Sequence, residues 1–285
     1  MIRTILVPVR GDGKGDNVLA HAAVLAHRYD AHVTVAHCRP RPEDLMPYGV
    51  HIPEFLRNQI VRQSYQVADQ EAEGMREEVL VLAEKLRLDL SGDNIGRTAT
   101  VAFLAEAGRQ VDVIKRRGRL ADLIAVAKPD RDRNLGHNTL KAALFHSGRP
   151  VLMCPHAETP PATLGAHVSL AWNGSAEAAR ALSQCISVLR TADAVSILSN
   201  GSDSGPGTSA EDLVDFLRLH GIAATIVKFD SRGKTGRELL KASAAAGADM
   251  MVMGAYGDSH ERETVFGGNT QTVVDTATTP VIFNH

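Results

Sequence analysis

From Val168 onward, short apolar runs alternate with segments whose apolar residues recur at helical spacing. Five of these runs have the length of strands: residues 168–172, 194–198, 222–229, 250–253 and 280–283. The run at 250–253 is apolar throughout, as expected of a strand that is covered on both faces. Strands that alternate with helices predict a doubly wound α/β fold, in which a five-stranded parallel sheet carries helices on both faces and is connected by right-handed crossovers.

Polar residues before the helical segments indicate where the helices begin. Ser175 precedes a segment with apolar residues at helical spacing, and its hydroxyl can cap that helix. Ser209 with Asp212, and Thr235 with Glu238, match the capping-box pattern, in which an N-cap hydroxyl is followed three residues later by an acidic side chain. We therefore expect two capping boxes in this part of the chain.

The same pattern occurs earlier in the chain. Corresponding segments follow one another in the same order: 5–12 with 168–175, Gly11 with Gly174, 121–127 with 248–254, 136–139 with 267–270, and 149–153 with 279–283. Internal repetition of this length indicates two copies of one domain. We predict domains at 1–156 and 167–285, joined by a Pro-rich linker at 157–166. The halves differ most at 39–73, where the first has four prolines followed by a charged, helix-like run.

Composition narrows the class of protein. The 285 residues are 44% hydrophobic and 22% charged, which is typical of a globular protein, and the formal net charge is −2. That balance lacks the basic excess expected of a protein that binds nucleic acid or an anionic membrane surface. The apolar runs are shorter than the roughly 18 residues that span a bilayer, and the N-terminus lacks a signal-peptide pattern. The three cysteines and twelve histidines show no metal-site spacing. We expect a soluble, cytoplasmic protein.

Candidate chemistry lies where the fourth strand of the second half ends. In doubly wound sheets, ligands bind beyond the carboxyl ends of the strands, where helix N-termini offer amides suited to phosphate. Met253, Gly254 and Gly257 lead into this region, and Gly267 opens the next helix. Arg262 could add positive charge. Three backbone amides could surround a terminal phosphate, those of Gly268, Asn269 and Thr270. Alternatively, the glycines serve only the turn and the helix start.

The spacing Gly254-x-x-Gly257, nine residues, then Gly267 resembles the nucleotide motif of the universal stress protein family. The chain resembles a tandem two-domain member of that family. The resemblance implies a strand order of 3-2-1-4-5 in each half, stress-response roles, and ATP or AMP bound with or without Mg²⁺. It also implies that Ala171 and Asn173 belong to the nucleotide pocket. Finally, it implies an intramolecular pseudo-dimer, in which the last strands of the two halves (151–153 and 281–283) pair, with further homodimerisation left open.

Several positions depart from the family pattern. Asn173 stands where the family usually has Asp, and Gly268 stands where Ser or Thr is usual. In the first half, residues 127–130 (Ala-Lys-Pro-Asp) replace Gly-x-x-Gly, and Arg10 takes the place of the Asp. We therefore expect nucleotide binding in the second half alone. Arg10 and Lys128 are expected to be solvated charges, with an anion other than ATP as the alternative ligand. Residues 136–139 are expected to start a helix.

Three functions are compatible with these residues. The leading hypothesis is a stress-response protein whose second half binds an adenine nucleotide as a signal or state marker. Efficient turnover is not expected, because no general base is evident beside the phosphates. One alternative is a nucleotide-free scaffold that acts on unknown protein partners through its surface. The other is an enzyme, at most a slow ATPase.

Overall fold

The structure, a computed structural model, describes residues 1–9, 15–39, 41, 53–133, 135–159, 161–201, 208–231, 233–255 and 268–285. Its strands are β1 Thr4–Val9, β2 His32–Arg39, β3 Thr100–Ala107, β4 Leu123–Ala127, β5 Val151–Cys154, β6 His167–Trp172, β7 Ala194–Asn200, β8 Thr225–Phe229, β9 Met250–Gly254 and β10 Val281–Asn284. Its helices are α1 Gly15–Tyr29, α2 Glu54–Lys85, α3 Gln110–Gly118, α4 His137–His146, α5 Ala176–Thr191, α6 Ala210–Leu219, α7 Thr235–Ala245 and α8 Gly268–Thr276, with a short 3₁₀ turn at Gly92–Asn94. The alternation predicted for the second half is confirmed.

The strands form one sheet in the order β3-β2-β1-β4-β5-β10-β9-β6-β7-β8. Counted outward from β5 and β10 at the centre, the strands of the two halves come in the same order. Neighbouring strands within each half are parallel. The predicted order of 3-2-1-4-5 is therefore present twice. The two five-stranded sheets join edge to edge at β5 and β10, which are antiparallel. Although the sheet is continuous, its order repeats about this central pair, as expected of a duplicated domain.

The central strands divide the core into two layers. Leu152 and Ile282 lie opposite each other across the join and belong to the layer that also contains α1, α2, α5 and α6. Val151 and Phe283 form the neighbouring pair and belong to the layer with α3, α4, α7 and α8. All four side chains are fully buried. The two halves therefore share both of their hydrophobic layers at the join, because successive side chains of a strand point to opposite faces.

Two helix starts in the second half are as predicted. The Ala178 amide donates to Ser175 Oγ at 3.2 Å, so Ser175 caps α5. Before α6, the Asp212 amide donates to Ser209 Oγ at 3.0 Å, and the Ser209 amide donates to the Asp212 carboxylate at 3.2 Å. This reciprocal pair is a complete capping box.

The capping box predicted at Thr235 is wrong. Helix α7 begins at Thr235 itself, with Lys234 as N-cap residue and no side-chain cap. The carboxylate of Glu238 accepts a hydrogen bond from Lys241 Nζ at 2.8 Å instead of reaching back to the N-cap amide. An i,i+3 ion pair on the exposed helix surface thus takes the side chain that the sequence pattern assigned to capping.

The charged run that distinguishes the first half is α2, a helix of 32 residues. Only Ala72, Val79 and Ala83 on it are buried, and all three lie in its second half. Near its start, Phe55 and Tyr65 are 70% and 46% exposed. The helix is too polar to cross a membrane, and no other helix in the described residues has the length and apolarity to do so.

Candidate functional site

The candidate site lies at the carboxyl edge of the second half of the sheet. Strands β6, β9 and β10 end there at Trp172, Gly254 and Asn284. Helices α5 and α8 begin there, at Ala176 and Gly268, because each helix follows a parallel strand and returns along the sheet. Strand ends and helix N-termini therefore meet at the edge where doubly wound folds bind ligands.

Gly254 permits a close approach between β9 and the first turn of α5. A Cβ atom at this position would lie 2.6 Å from the carbonyl carbon of Glu177, 2.7 Å from its oxygen and 2.8 Å from the amide nitrogen of Ala178. These are backbone atoms, which cannot swing aside as the end of a side chain can. The first motif glycine is thus required by packing, and it places the start of α5 directly against the end of β9.

The residues after β6 form a tight turn into α5. Asn173 is exposed, and its Oδ1 accepts a hydrogen bond from the Ser175 amide at 3.2 Å. Gly174 between them has φ +72°, a left-handed conformation that favours glycine. Before the turn, Trp172 is buried, and its Nε1 donates to the Thr208 carbonyl at 2.9 Å. Asn173 is consequently the side chain of this turn that faces solvent at the edge of the site.

Two predicted pocket residues belong to the core. Ala171 and Met253 are 8% and 5% exposed and pack in the layer beneath α7 and α8. Both precede the strand ends by one residue, so their side chains point into that layer.

The start of α8 is open to solvent. Gly268 and Asn269 are exposed, whereas Thr270 is buried. A Cβ atom at Gly268 would meet no atom of the described residues within 4 Å. Helix α7 packs closely beside this turn, since a Cβ atom on Gly236 would lie 2.7 Å from the Asn269 carbonyl oxygen. The three amides predicted to face a phosphate therefore lie on one helix turn, which is exposed at Gly268 and Asn269. The predicted residues Gly257, Arg262 and Gly267 lie outside the described residues.

Sequence reasoning missed Asn284, the last residue of β10. It lies beside Gly254 in the strand register, and its carbonyl oxygen accepts a hydrogen bond from the Ala255 amide at 2.7 Å. The residue is 1% exposed, yet neither its Nδ2 nor its Oδ1 has a hydrogen-bond partner among the residues that the structure describes. An unmet buried amide is costly, which favours a bound polar group or water at this position. One signal in the sequence could have pointed to it. The apolar run 281–283 is followed by a polar Asn284, whereas the corresponding run of the first half is followed by Cys154.

The first half has a cleft of about 1010 Å³ at the corresponding edge of its own sheet. Lys128 lines it, but Lys128 Nζ donates to the Ala277 carbonyl of the second half at 2.9 Å. Burial lowers the pKa of Lys128, and the nearby carboxylate of Asp275 opposes that shift. The expectation that Lys128 is a solvated charge is therefore wrong, because its ammonium group is hydrogen-bonded to a carbonyl of the other half. Arg10 lies outside the described residues.

The helix start predicted at 136–139 is confirmed. Gly136 precedes α4 with φ +87°, and a Cβ atom there would lie 3.2 Å from the Cα atom of Pro129. This glycine is therefore explained by its backbone conformation and by its contact with Pro129.

The cysteines give a testable prediction. Burial raises the pKa of the Cys185 thiol to about 12 and also raises that of Cys154, whereas Cys38 is only half-buried. Because the thiolate is the reactive form, a thiol reagent at pH 8 is expected to label Cys38 in the folded protein and all three cysteines in denaturant. Mass spectrometry of the labelled peptides measures this. Rapid labelling of Cys154 without denaturant would contradict the burial described here.

Comparison with known proteins agrees with this architecture. The model of the universal stress protein family matches residues 1–135 and 167–283, which is most of the chain. The chain belongs to the universal stress protein family. No curated protein matches it in sequence.

Solved universal stress proteins share the fold at low sequence identity. One from Archaeoglobus fulgidus is 18% identical, with a TM-score of 0.72, and the match covers 99% of this chain and 95% of that one. A putative universal stress protein from Pseudomonas aeruginosa is 17% identical, with a TM-score of 0.53 and coverage of 99% and 93%. These matches extend over both halves, so the tandem arrangement is shared with them.

Proposed function

We propose that this universal stress protein binds an adenine nucleotide, ATP or AMP, at the carboxyl edge of its second half. The bound nucleotide acts as a signal or state marker in a stress response and is not turned over efficiently. The observation that carries the proposal is the exposed first turn of α8 at the edge where β6, β9 and β10 end. Unpaired amides and the partial positive charge of a helix N-terminus suit a phosphate group.

Two further observations support this location. The exposed amide of Asn173 lies after β6, where the family resemblance predicts contact with ribose hydroxyls. The buried side-chain amide of Asn284 lies beside Gly254, and no described residue hydrogen-bonds to it. A polar molecule bound at this edge could satisfy groups that the protein alone leaves unmet.

Thermal unfolding with and without nucleotide tests the proposal. A ligand that binds only the folded state stabilises it by about 2.7 kcal/mol at one hundred times its Kd. For a chain of this size, we expect millimolar ATP with Mg²⁺ to raise the unfolding midpoint by roughly 5 °C. Inorganic phosphate at the same ionic strength is the control for general salt effects. An unchanged midpoint at millimolar ATP would reject the proposal.

Substitution of Asn173 tests the position of the ribose. Asn173→Asp keeps an oxygen acceptor for the Ser175 amide and adds a charge that strengthens hydrogen bonds from hydroxyls. We expect Asn173→Asp to increase the ATP affinity by about threefold to tenfold. We expect Asn173→Ala to reduce the ATP affinity. Asn58→Asp on the exposed face of α2 is the matched control for added charge and should leave the ATP affinity unchanged. Calorimetric titration measures all four proteins. Equal affinities would place the ribose elsewhere.

A second candidate function is an interaction protein that needs no nucleotide. The exposed apolar side chains of α2, including Phe55 and Tyr65, favour it, because large apolar groups on a surface helix suit a protein partner. Native mass spectrometry of freshly purified protein separates the two candidates. A co-purified mass of an adenine nucleotide supports the first, whereas nucleotide-free protein in a stable complex supports the second.

A further inference from the structure

The loop after β4 of the first half contacts the second half. This loop carries the residues that replace the family's first Gly-x-x-Gly. The Lys128 amide donates to the Cys154 carbonyl at 2.8 Å, which fixes the backbone of the loop to β5. From there, Lys128 Nζ reaches the Ala277 carbonyl at 2.9 Å, a residue 149 positions away in the sequence. The loop that lacks the family's glycines therefore contacts the end of α8.

That contact satisfies the C-terminal end of α8. The Ala277 amide donates to the Val273 carbonyl, so Ala277 belongs to the last turn of the helix. The last carbonyls of a helix have no intrahelical donor, and Ala277 is 1% exposed. A lysine ammonium both donates to such a carbonyl and interacts favourably with the negative end of the helix dipole.

An ion pair lies beside this hydrogen bond. Arg131 contacts the Asp275 carboxylate at 2.9 Å, and the Gln271 side chain donates to the same carboxylate at 2.7 Å. Because the Arg131 side chain is 67% exposed, its pair with Asp275 contributes little. Of these two polar contacts from the first half to α8, that of Lys128 is the less exposed.

The other end of α8 is the turn proposed to face a phosphate. The helix has nine residues, so about 13 Å separates its two ends. Near its start it packs against Gly236 of α7, within the same half. Helix α8 is therefore held at its start by its own half and at its end by the other half. A short helix held at both ends has a fixed axis, and its first amides then have a fixed direction.

We propose that Lys128 is a positioning residue for nucleotide binding in the other half of the chain. By holding the end of α8, it orients the amides of Gly268, Asn269 and Thr270 toward the phosphate. This inference rests on the proposed function. It gives the first half a role without a nucleotide of its own: one copy of the duplicated domain binds, and the other aligns the helix that binds. The corresponding position in the second half is Ala255, which has no ammonium group.

The first test needs no ligand. In Lys128→Met, the apolar stem remains and the donor is lost, so we expect amide hydrogen exchange in α8 to accelerate about tenfold relative to the wild type. Lys115→Met on the exposed face of α3 is the matched control and should leave that exchange unchanged. Lys128→Arg keeps a donor and should restore slow exchange. Wild-type exchange in Lys128→Met would overturn the role of Lys128 in holding α8.

The second test compares two ligands that differ only in phosphate. Misaligned amides should weaken ATP binding by Lys128→Met about fivefold, a size typical of coupling between sites, while adenosine binding stays within twofold of the wild type. Lys115→Met should bind both as the wild type does, and Lys128→Arg should recover ATP affinity. Equal weakening of ATP and adenosine, or no weakening of either, would overturn the inference. If the wild type itself binds no ATP, the proposed function fails, and the exchange experiment still decides whether Lys128 holds α8.

Discussion

Gly254→Ala is expected to destabilise the protein by about 1–3 kcal/mol, the usual cost of inserting an atom into a packed interior. The new methyl group would lie 2.6–2.8 Å from three backbone atoms of Glu177 and Ala178. To relieve this steric clash, the first turn of α5 must move away from β9, and that movement also displaces the turn that carries Asn173. We therefore expect loss of ATP binding together with loss of stability. Chemical denaturation gives the free energy of unfolding, and titration calorimetry gives the affinity.

Gly268→Ala is the matched control for this substitution. A Cβ atom there meets nothing within 4 Å in the part of the chain that the structure describes, and the residue is the first of α8. Alanine should therefore be neutral or slightly stabilising. Its backbone amide is retained, so ATP affinity should stay within a few-fold of the wild type. If both variants were equally stable, the contact between β9 and α5 would not explain the motif glycine.

Leu152→Ala is expected to lower the free energy of unfolding by about 2–5 kcal/mol, the range for truncating a fully buried leucine. Leu152 is 0% exposed and faces Ile282 across the join between β5 and β10. A cavity at this point weakens the contact between the two halves as well as the core of the first. Because the halves share both hydrophobic layers, we expect wild type and variant to unfold in a single transition.

Leu120→Ala provides the control, since Leu120 is 83% exposed and its truncation should change stability by less than about 0.5 kcal/mol. Scanning calorimetry measures both the midpoint and the number of transitions. Two separated transitions in the wild type, or equal effects of the two substitutions, would show that the join contributes little to the stability of the chain.

The architecture could be predicted from the sequence because the patterns that indicate it are local and periodic. Strand-length apolar runs and helical spacing reflect which face of each element is buried, and the repeat supplied the two-fold plan. Ser175 and Ser209 were correctly read as N-caps, because capping depends on residues within one turn. The capping box predicted at Thr235 is wrong because Glu238 forms an ion pair with Lys241 on the helix surface. The capping-box pattern considers only positions 235 and 238, so it does not include the competing lysine.

The sequence by itself predicted two copies of an α/β domain, and its resemblance to the universal stress protein family implied the strand order that each half has. The edge of the sheet where a ligand should bind stays a prediction. Only the tertiary structure decided that Lys128 Nζ donates to the Ala277 carbonyl at the end of α8 and that Gly254 touches the backbone of α5. It alone also shows that the Asn284 side-chain amide is buried without a partner among the described residues. Each of these depends on atoms brought together from distant parts of the chain. A periodic pattern specifies which side of an element faces inward, whereas the partner it meets there is set by how whole elements pack.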